Sequence, residues 1–384
     1  METLKFGTAT AARGQKAWGT LRVRAGRRQV SLGVAVIHGA RPGEHVVALA
    51  NQHGGEVNGV ESLRLFVEQV DPRRMRGSVF VIPSANPRAA MLLNEFYPED
   101  ADAETLAKYQ GGHYREPGFD RNACPYNMNR RWPGRKGGTL VDRMVYEIWN
   151  RAVMAPHRQA SLFLDFHCHQ SPSAIYAAYR EDIELGIVSG APVVTYTRSA
   201  QAGSSHDYSR RACSAAGIQG LTVELGGQRA IHPRAVEDGR RILFNLLKFW
   251  GLLPGRPEYY PEPTLLLDPW RDDFCKPNRP ANLRSNQRIF AGHAGLAVQH
   301  VFGGARVRKG RTVCHVVDPF SGRVVEEHRA AFTGVVLNNL RPEALCRKGE
   351  RLATLARARR VDPVKVFRSL DPDALRGPSA RWRP

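Results

Sequence analysis

The sequence predicts an α/β protein, with a sheet flanked by helices, followed by a small all-β domain. Three observations carry this. Over the first 250 residues, short apolar runs alternate with stretches of helical apolar spacing. A proline-dense segment follows. Beyond it, short strand-like runs lie between glycine turns.

Taken in order, "AWGTLRVRA" and "QVSLGVAVI" read as paired strands and "HVVALA" as a buried strand. "GVESLRLFVEQV" has helical spacing at Val60, Leu63 and Val67. "GSVFVIP" is a further buried strand, "GTLVDRMVYEIWNRAV" an amphipathic helix, and "SLFLDFH" a strand ending in polar residues. "DYSRRACSAAG" reads as a helix closed by Gly217, followed by the strand "IQGLTVELGG" and the long helix "HPRAVEDGRRILFNLLKFWGLL". Residues 1–250 are therefore expected to form one domain. Seven prolines between Pro254 and Pro280 make 251–280 a linker in which no regular element is expected. Residues 281–358, with "GLAVQHVF", "RTVCHVVD" and "AAFTGVVLN", form the β domain, and 359–384 a tail.

At 384 residues, 42% hydrophobic and 24% charged, the chain can build a sizeable core. It has no apolar run of the ~18 residues a membrane-spanning helix needs, and its start lacks a signal-peptide pattern. A cytoplasmic protein without a membrane partner is expected. The six cysteines are scattered without a C-x-x-C pair, the pattern of reduced thiols. The net charge of +20 raises nucleic-acid binding as an alternative. Arginines are, however, spread along the chain rather than gathered on one tail, so nucleic acid is not expected as a partner. The positive field would instead steer anionic substrates.

Three apolar strands run into residues suited to metal chemistry. "HVVALA" leads into "NQHGGE", "SLFLDF" into "HCHQS", and "LTVE" carries Glu224 near its end. Glycines in "NQHGGEVNG" imply that something approaches this backbone closely. If the strands are parallel, the polar residues converge at one sheet edge, where open α/β sheets bind ligands. His53, Glu56 and His167 would make a zinc set of two imidazoles and a carboxylate with an open position. Spacing alone does not choose between His167 and His169, which point to the same side of an extended strand. Asp165, also on that side, can hold a ligand imidazole, and His169 is the other candidate for such a supporting place. Glu224 can move a proton beside a metal. Asn127, Asn129 and Arg130 in "PYNMNRRWPG" suit a substrate carboxylate. Alternatively, the asparagines satisfy their own loop.

"GARPGEHVVALANQHGGEVNGVESLRLF", "DPRRMRGSVFVIPSANPRAA", "NMNRRWPG", "LDFH" and "LTVELGG" occur in the order seen in the succinylglutamate desuccinylase and aspartoacylase family. The resemblance spans residues 20–250. It implies a mixed sheet flanked by helices, like that of the zinc carboxypeptidases, and a C-terminal barrel-like domain near the site mouth. It also implies one zinc ion per chain on His53, Glu56 and His167, which sets His169 aside as a ligand. Glu224 matches the family's catalytic glutamate, and Asn129 and Arg130 its substrate-holding pair. An arginine shortly before that pair polarises the scissile carbonyl in the family, and here Arg121 and Arg115 are the candidates. Two departures stand out: "NQHGGE" replaces the usual small-residue "GxHGxE", and the stretch before the Asn-Arg block is long. The implied activity is zinc-dependent hydrolysis of a small anionic N-acyl amino acid, in an enzyme that is often a homodimer. A carboxypeptidase-type exopeptidase is the nearest alternative, and a catalytically inactive anion-binding protein a more distant one.

Overall fold

Two apolar cores, one on each face of a single sheet, explain why its strands read as unbroken apolar runs. A hairpin of β1 (Thr3–Phe6) and β2 (Ala9–Ala12) precedes the sheet. Into the sheet itself go β3 (Gln15–Ala25), β4 (Arg28–His38), β5 (Arg41–Ala50), β6 (Arg76–Ile82), β7 (Leu162–His169), β8 (Ile175–Tyr179), β9 (Val193–Thr197), β10 (Gln219–Gly226) and β11 (Thr264–Leu267). The computed structural model describes residues 2–93, 126–169, 175–179, 183–197, 209–267, 286–301, 303–338 and 345–370.

Strand β5 shows the layering. Val46, Ala48 and Ala50 point into one core, and Val47 and Leu49 into the other, as in a strand covered on both faces. The first core is closed by helices α1 (Asn58–Gln69) and, further along the chain, Pro233–Phe249, through Leu63, Phe66, Ile242 and Leu246. The second is closed by the β1–β2 hairpin and the helix Leu140–Ile148, through Phe6, Val141 and Val145. Strands β5, β7 and β10 are mutually parallel, as are β5 and β6, whereas β3–β4, β4–β6 and β10–β8 pair antiparallel. The sheet is therefore mixed. Because β5, β7 and β10 run the same way, "NQHGGE", "HCH" and Glu224 do lie at one sheet edge.

Beyond β11, strands β12 (Asn286–Phe290) through β19 (Arg351–Ala356) form two four-stranded antiparallel sheets around a core that includes Ile289, Val313, Val316, Leu352 and Leu355. This is the β-rich C-terminal part expected from sequence. Two elements differ from expectation. Thr264–Leu267, inside the proline-rich stretch, is a strand that pairs with β9 and with β20 (Ala358–Val361). Four consecutive non-proline residues after Pro263 keep their N–H groups, enough for a short strand. The expected tail likewise begins with structure. Asp362 caps the helix Pro363–Ser369, accepting from Val364 N and Lys365 N, and Val366 and Phe367 pack on the first core. The chain thus leaves the main sheet after β11 and returns to its edge as β20. Among the described residues, no helix is long and apolar enough to cross a membrane.

At the opposite edge from the site, His45 ties the second core together. Its Nε2 lies 2.8 Å from Ala152 O and its Nδ1 2.8 Å from Ser78 Oγ. A carbonyl only accepts, so Nε2–H donates to Ala152 and Nδ1 accepts from the Ser78 hydroxyl. Burial pushes His45 down to about 3. A depressed histidine keeps its full contribution above its unfolded value of 6.5 and loses it as pH falls. Stability measured by urea titration should therefore drop from about pH 7 to about pH 5, and a His45→Gln variant should lose about 2 kcal/mol of that drop. An unchanged pH profile in the variant would remove His45 from this account.

Candidate active site

Three ligand-capable side chains meet where β5 and β7 end. His53, Glu56 and His167, all buried, place their nearest N and O atoms within 4.8 Å of one another. Glu56 is shared: Oε1 lies 2.9 Å from His53 Nδ1 and Oε2 2.7 Å from His167 Nδ1. The outer nitrogen of each ring faces an acceptor, His53 Nε2 at 3.1 Å from Asn127 Oδ1 and His167 Nε2 at 3.1 Å from Asp165 Oδ2. Each inner nitrogen thus meets Glu56 in one of two ways: as an N–H donor, when its ring carries a proton there, or as a lone pair, when the three side chains share a metal ion. The donor set of two imidazoles and one carboxylate suits zinc, so the residues present fit a divalent metal.

Electrostatics follow the geometry. Burial alone would raise Glu56, but the adjacent His53 and His167 outweigh it and hold the carboxyl well below its ordinary range. Burial opposes protonation of His167, yet Asp165 and Glu56 raise it well above its ordinary value. Glu224 sits at the same register as His167 on the neighbouring parallel strand, so both side chains leave the sheet on one face. Burial pushes Glu224 up to about 7; His167 opposes the rise, and Glu56 and Asp165 add to it. A carboxyl that changes charge near neutrality beside this cluster can accept and return a proton.

The loop holding His53 and Glu56 is locked from within. Asn51 adopts a positive φ of 62°, a conformation asparagine tolerates. Its amide donates to the carbonyls of His53, Gly54 and Glu56 at 2.9, 3.2 and 3.1 Å, while Ser84 Oγ donates to its Oδ1 at 2.7 Å. The close approach implied by the glycines is made by the protein itself. A Cβ on Gly59 would lie 2.8 Å from the Cβ atoms of both Ala50 and Phe166, so glycine lets the first turn of α1 sit on the strand ends.

Asp165 supports His167, as its place on the strand suggests, and it is itself held by Gln52, part of the departure noted in the sequence, and by Ser209, which sequence reasoning missed. Gln52 Nε2 donates to Asp165 Oδ2 at 2.6 Å, and Ser209 Oγ donates to the same oxygen. Trp132 Nε1 donates to Gln52 Oε1 at 2.8 Å. An indole N–H only donates, which fixes the amide orientation and aims Gln52 Nε2 at Asp165. Asn58, also missed, donates to Gly226 O and Gly227 O at 3.0 and 3.1 Å, tying the end of β10 to the start of α1. Gln52 carried a signal, being a large polar residue where a small one is usual; Trp132, Ser209 and Asn58 are joined to the site only by the fold.

The other expected residues fall as follows. Asn127 reaches His53, and Asn129 Nδ2 lies 3.3 Å from His167 Nε2 with its Oδ1 buried and unpaired. Arg130 follows on the same short turn, half-buried. His169 ends β7 outside the three-residue cluster. Arg115 and Arg121 lie outside the described residues.

Comparison with known proteins bears on the family and the fold. The family model of the succinylglutamate desuccinylase/aspartoacylase catalytic domain matches residues 42–250. N-alpha-acetyl-L-2,4-diaminobutyric acid deacetylase from Halomonas elongata is 24% identical over 328 residues, 82% of this chain and 83% of that protein. The fold is similar to that of a succinylglutamate desuccinylase from Silicibacter sp. TM1040, with a TM-score of 0.68 at 20% identity, over 90% of this chain and 95% of that one. It is also similar to the product-bound ectoine utilization protein EutE (DoeB) from Ruegeria pomeroyi, with a TM-score of 0.67 at 21% identity, over 89% and 95% of the two chains.

Replacing Gln52 by Leu would leave Trp132 Nε1 buried without an acceptor and take a donor from Asp165. The Gln52→Leu variant should lose about 1–3 kcal/mol of stability, and Trp132→Phe, which deletes the indole donor itself, should lose less of its hydrogen-bond share. Chemical denaturation of the two variants beside the wild type measures both, and a neutral Gln52→Leu would mean the link carries no load.

Proposed function

Because the chain belongs to the succinylglutamate desuccinylase/aspartoacylase family, we propose that it is a metal-dependent deacylase hydrolysing the amide bond of a small N-acylated amino acid. The observation that carries this reading is the buried cluster of Glu56 with the Nδ1 atoms of His53 and His167, with Glu224 level with His167 on the next strand. His53, Glu56 and His167 would hold one zinc ion per chain. Bound there, zinc supplies Lewis-acid chemistry, lowering the pKa of water toward neutrality and polarising an acyl carbonyl.

The chain's own groups do the rest. Glu224 takes a proton from the water that adds to the carbonyl carbon. It returns a proton to the nitrogen as the C–N bond breaks, so the products are a carboxylate and a free amine. Its affinity for a proton near neutrality suits both halves of that exchange. Asn129 and Arg130 receive the carboxylate of the amino-acid part, a planar anion matched to a guanidinium fork. The unpaired Asn129 Oδ1, an acceptor, is suited to a substrate N–H, which leaves the carboxylate chiefly to Arg130. Arg121 or Arg115 would serve the developing oxyanion. Asp165, braced by Gln52 and Ser209, keeps the His167 ring turned toward Glu56. The Halomonas relative, named for an N-acetylated diamino acid, supports an acyl amino acid as the substrate class.

Elemental analysis of the purified protein should find one zinc per chain, lost from a His53→Ala, His167→Ala double variant; retention by the variant would place the metal elsewhere. Glu224→Gln should keep its metal and lose about a hundredfold or more in turnover of N-acetyl or N-succinyl amino acids. Full turnover by Glu224→Gln with metal intact would take Glu224 out of the mechanism. Preference for dipeptides over acyl amino acids would turn the reading to an exopeptidase.

A further inference from the structure

Where the edge of the main sheet meets the β domain lies a groove of about 500 Å³, within the usual range for small-molecule sites. Three guanidiniums line it, each from a different element: Arg234 in the first turn of the helix Pro233–Phe249, Arg306 on β14 (Arg306–Val307), and Arg360 on β20. Among the described residues, neither Arg306 nor Arg360 has an acidic partner. Arg234 stands 3.6 Å from Asp238, but that carboxylate already accepts from Arg241 Nη2 at 2.8 Å and from Tyr260 Oη at 2.9 Å. One carboxylate thus serves two cations, and Glu262 is the acidic residue in the lining.

The walls are held in place. Tyr260 lies under Arg234, whose guanidinium carbon is 4.1 Å from the ring centre, and Tyr259 Oη donates to Val188 O at 3.2 Å. Val193, Leu267, Val335 and Ala356 form a small apolar cluster that joins the two units. The groove is also distinct from the metal cluster. Pairing runs in one row from Glu224 through Ile175, Val193 and Leu265 to Arg360. At roughly 4.8 Å per strand, Val193 lies about 10 Å and Arg360 about 19 Å from Glu224 along the sheet.

We propose that this groove binds a compact polyanion, a small molecule carrying two or more phosphate, sulfate or carboxylate groups, which bridges the main sheet and the β domain. Uncompensated cations in a concave wall concentrate counter-anions, and guanidinium forks favour planar oxyanions. Arg306 comes from the β domain and Arg360 from the main sheet, so a ligand with two anionic groups can engage both at once. A single charge engages one.

Meta-benzenedisulfonate, a rigid dianion whose sulfonates bind metals weakly, tests this with the full chain. Calorimetric titration at matched ionic strength in sodium chloride should show saturable binding, with benzenesulfonate about tenfold weaker or worse. An Arg306→Glu, Arg360→Glu double variant, and the milder Arg306→Gln, Arg360→Gln pair, should weaken binding about tenfold or more while leaving deacylase turnover unchanged. Non-saturable heats, equal affinity for the monoanion, or undiminished binding by the glutamine pair would each overturn the proposal.

Discussion

A buried carboxylate placed between two imidazole nitrogens is the constraint on which the rest of this structure depends. In this buried setting charge is poorly screened, so the Glu56 carboxylate and the His167 ring bear strongly on each other, Glu56 held low and His167 raised. The surrounding groups hold them in place. Asn127 and Asp165 lie against the outer nitrogens, which keeps Nδ1 of each ring facing Glu56. Asp165 in turn receives Gln52, Ser209 and His167 on a single oxygen, and Trp132 holds Gln52. The protein spends several buried polar side chains on holding this one geometry. Sites of that kind need their supporting contacts fixed to within a fraction of an ångström.

That geometry is in turn a property of the sheet. Parallel pairing of β5 with β7 and of β7 with β10 puts the loop of His53 and Glu56, His167 and Glu224 at consecutive positions along one edge. Burial of both faces fixes the register, because a one-residue slip would exchange the residues feeding the two cores. In such a slip Glu224 and His167 would also part company. Core packing and site geometry are therefore one constraint read twice, and Gly59 belongs to it as much as the ligands do.

Much of this was legible in the sequence, for a physical reason. A strand buried on both faces cannot alternate in polarity, so "HVVALA" and "SLFLDF" announce themselves, and polar residues at their ends mark the edge. The short-range pair His53 and Glu56 is readable because three residues of loop bring it together. What was not legible depends on distant partners. Strand β11 is four residues among prolines and gains its ladder from β9 and from β20, ninety residues further on. Trp132 and Ser209 are ordinary polar-tipped residues until the fold brings them to Gln52 and Asp165. Local propensity carries no trace of such pairings.

The insertion of the β domain between β11 and β20 gives it an unusual mechanical position. Both of its chain connections enter the same edge of the main sheet, so it is anchored at two points, and β20 pairs one edge of β11 that would otherwise be open. The apolar seam at Val193, Leu267, Val335 and Ala356 is small, so the polar residues around it weigh more in setting how the two units sit. Val193 of the seam and Glu224 lie in one row of the sheet, two strands apart, so the seam is built on the same paired strands that carry the site.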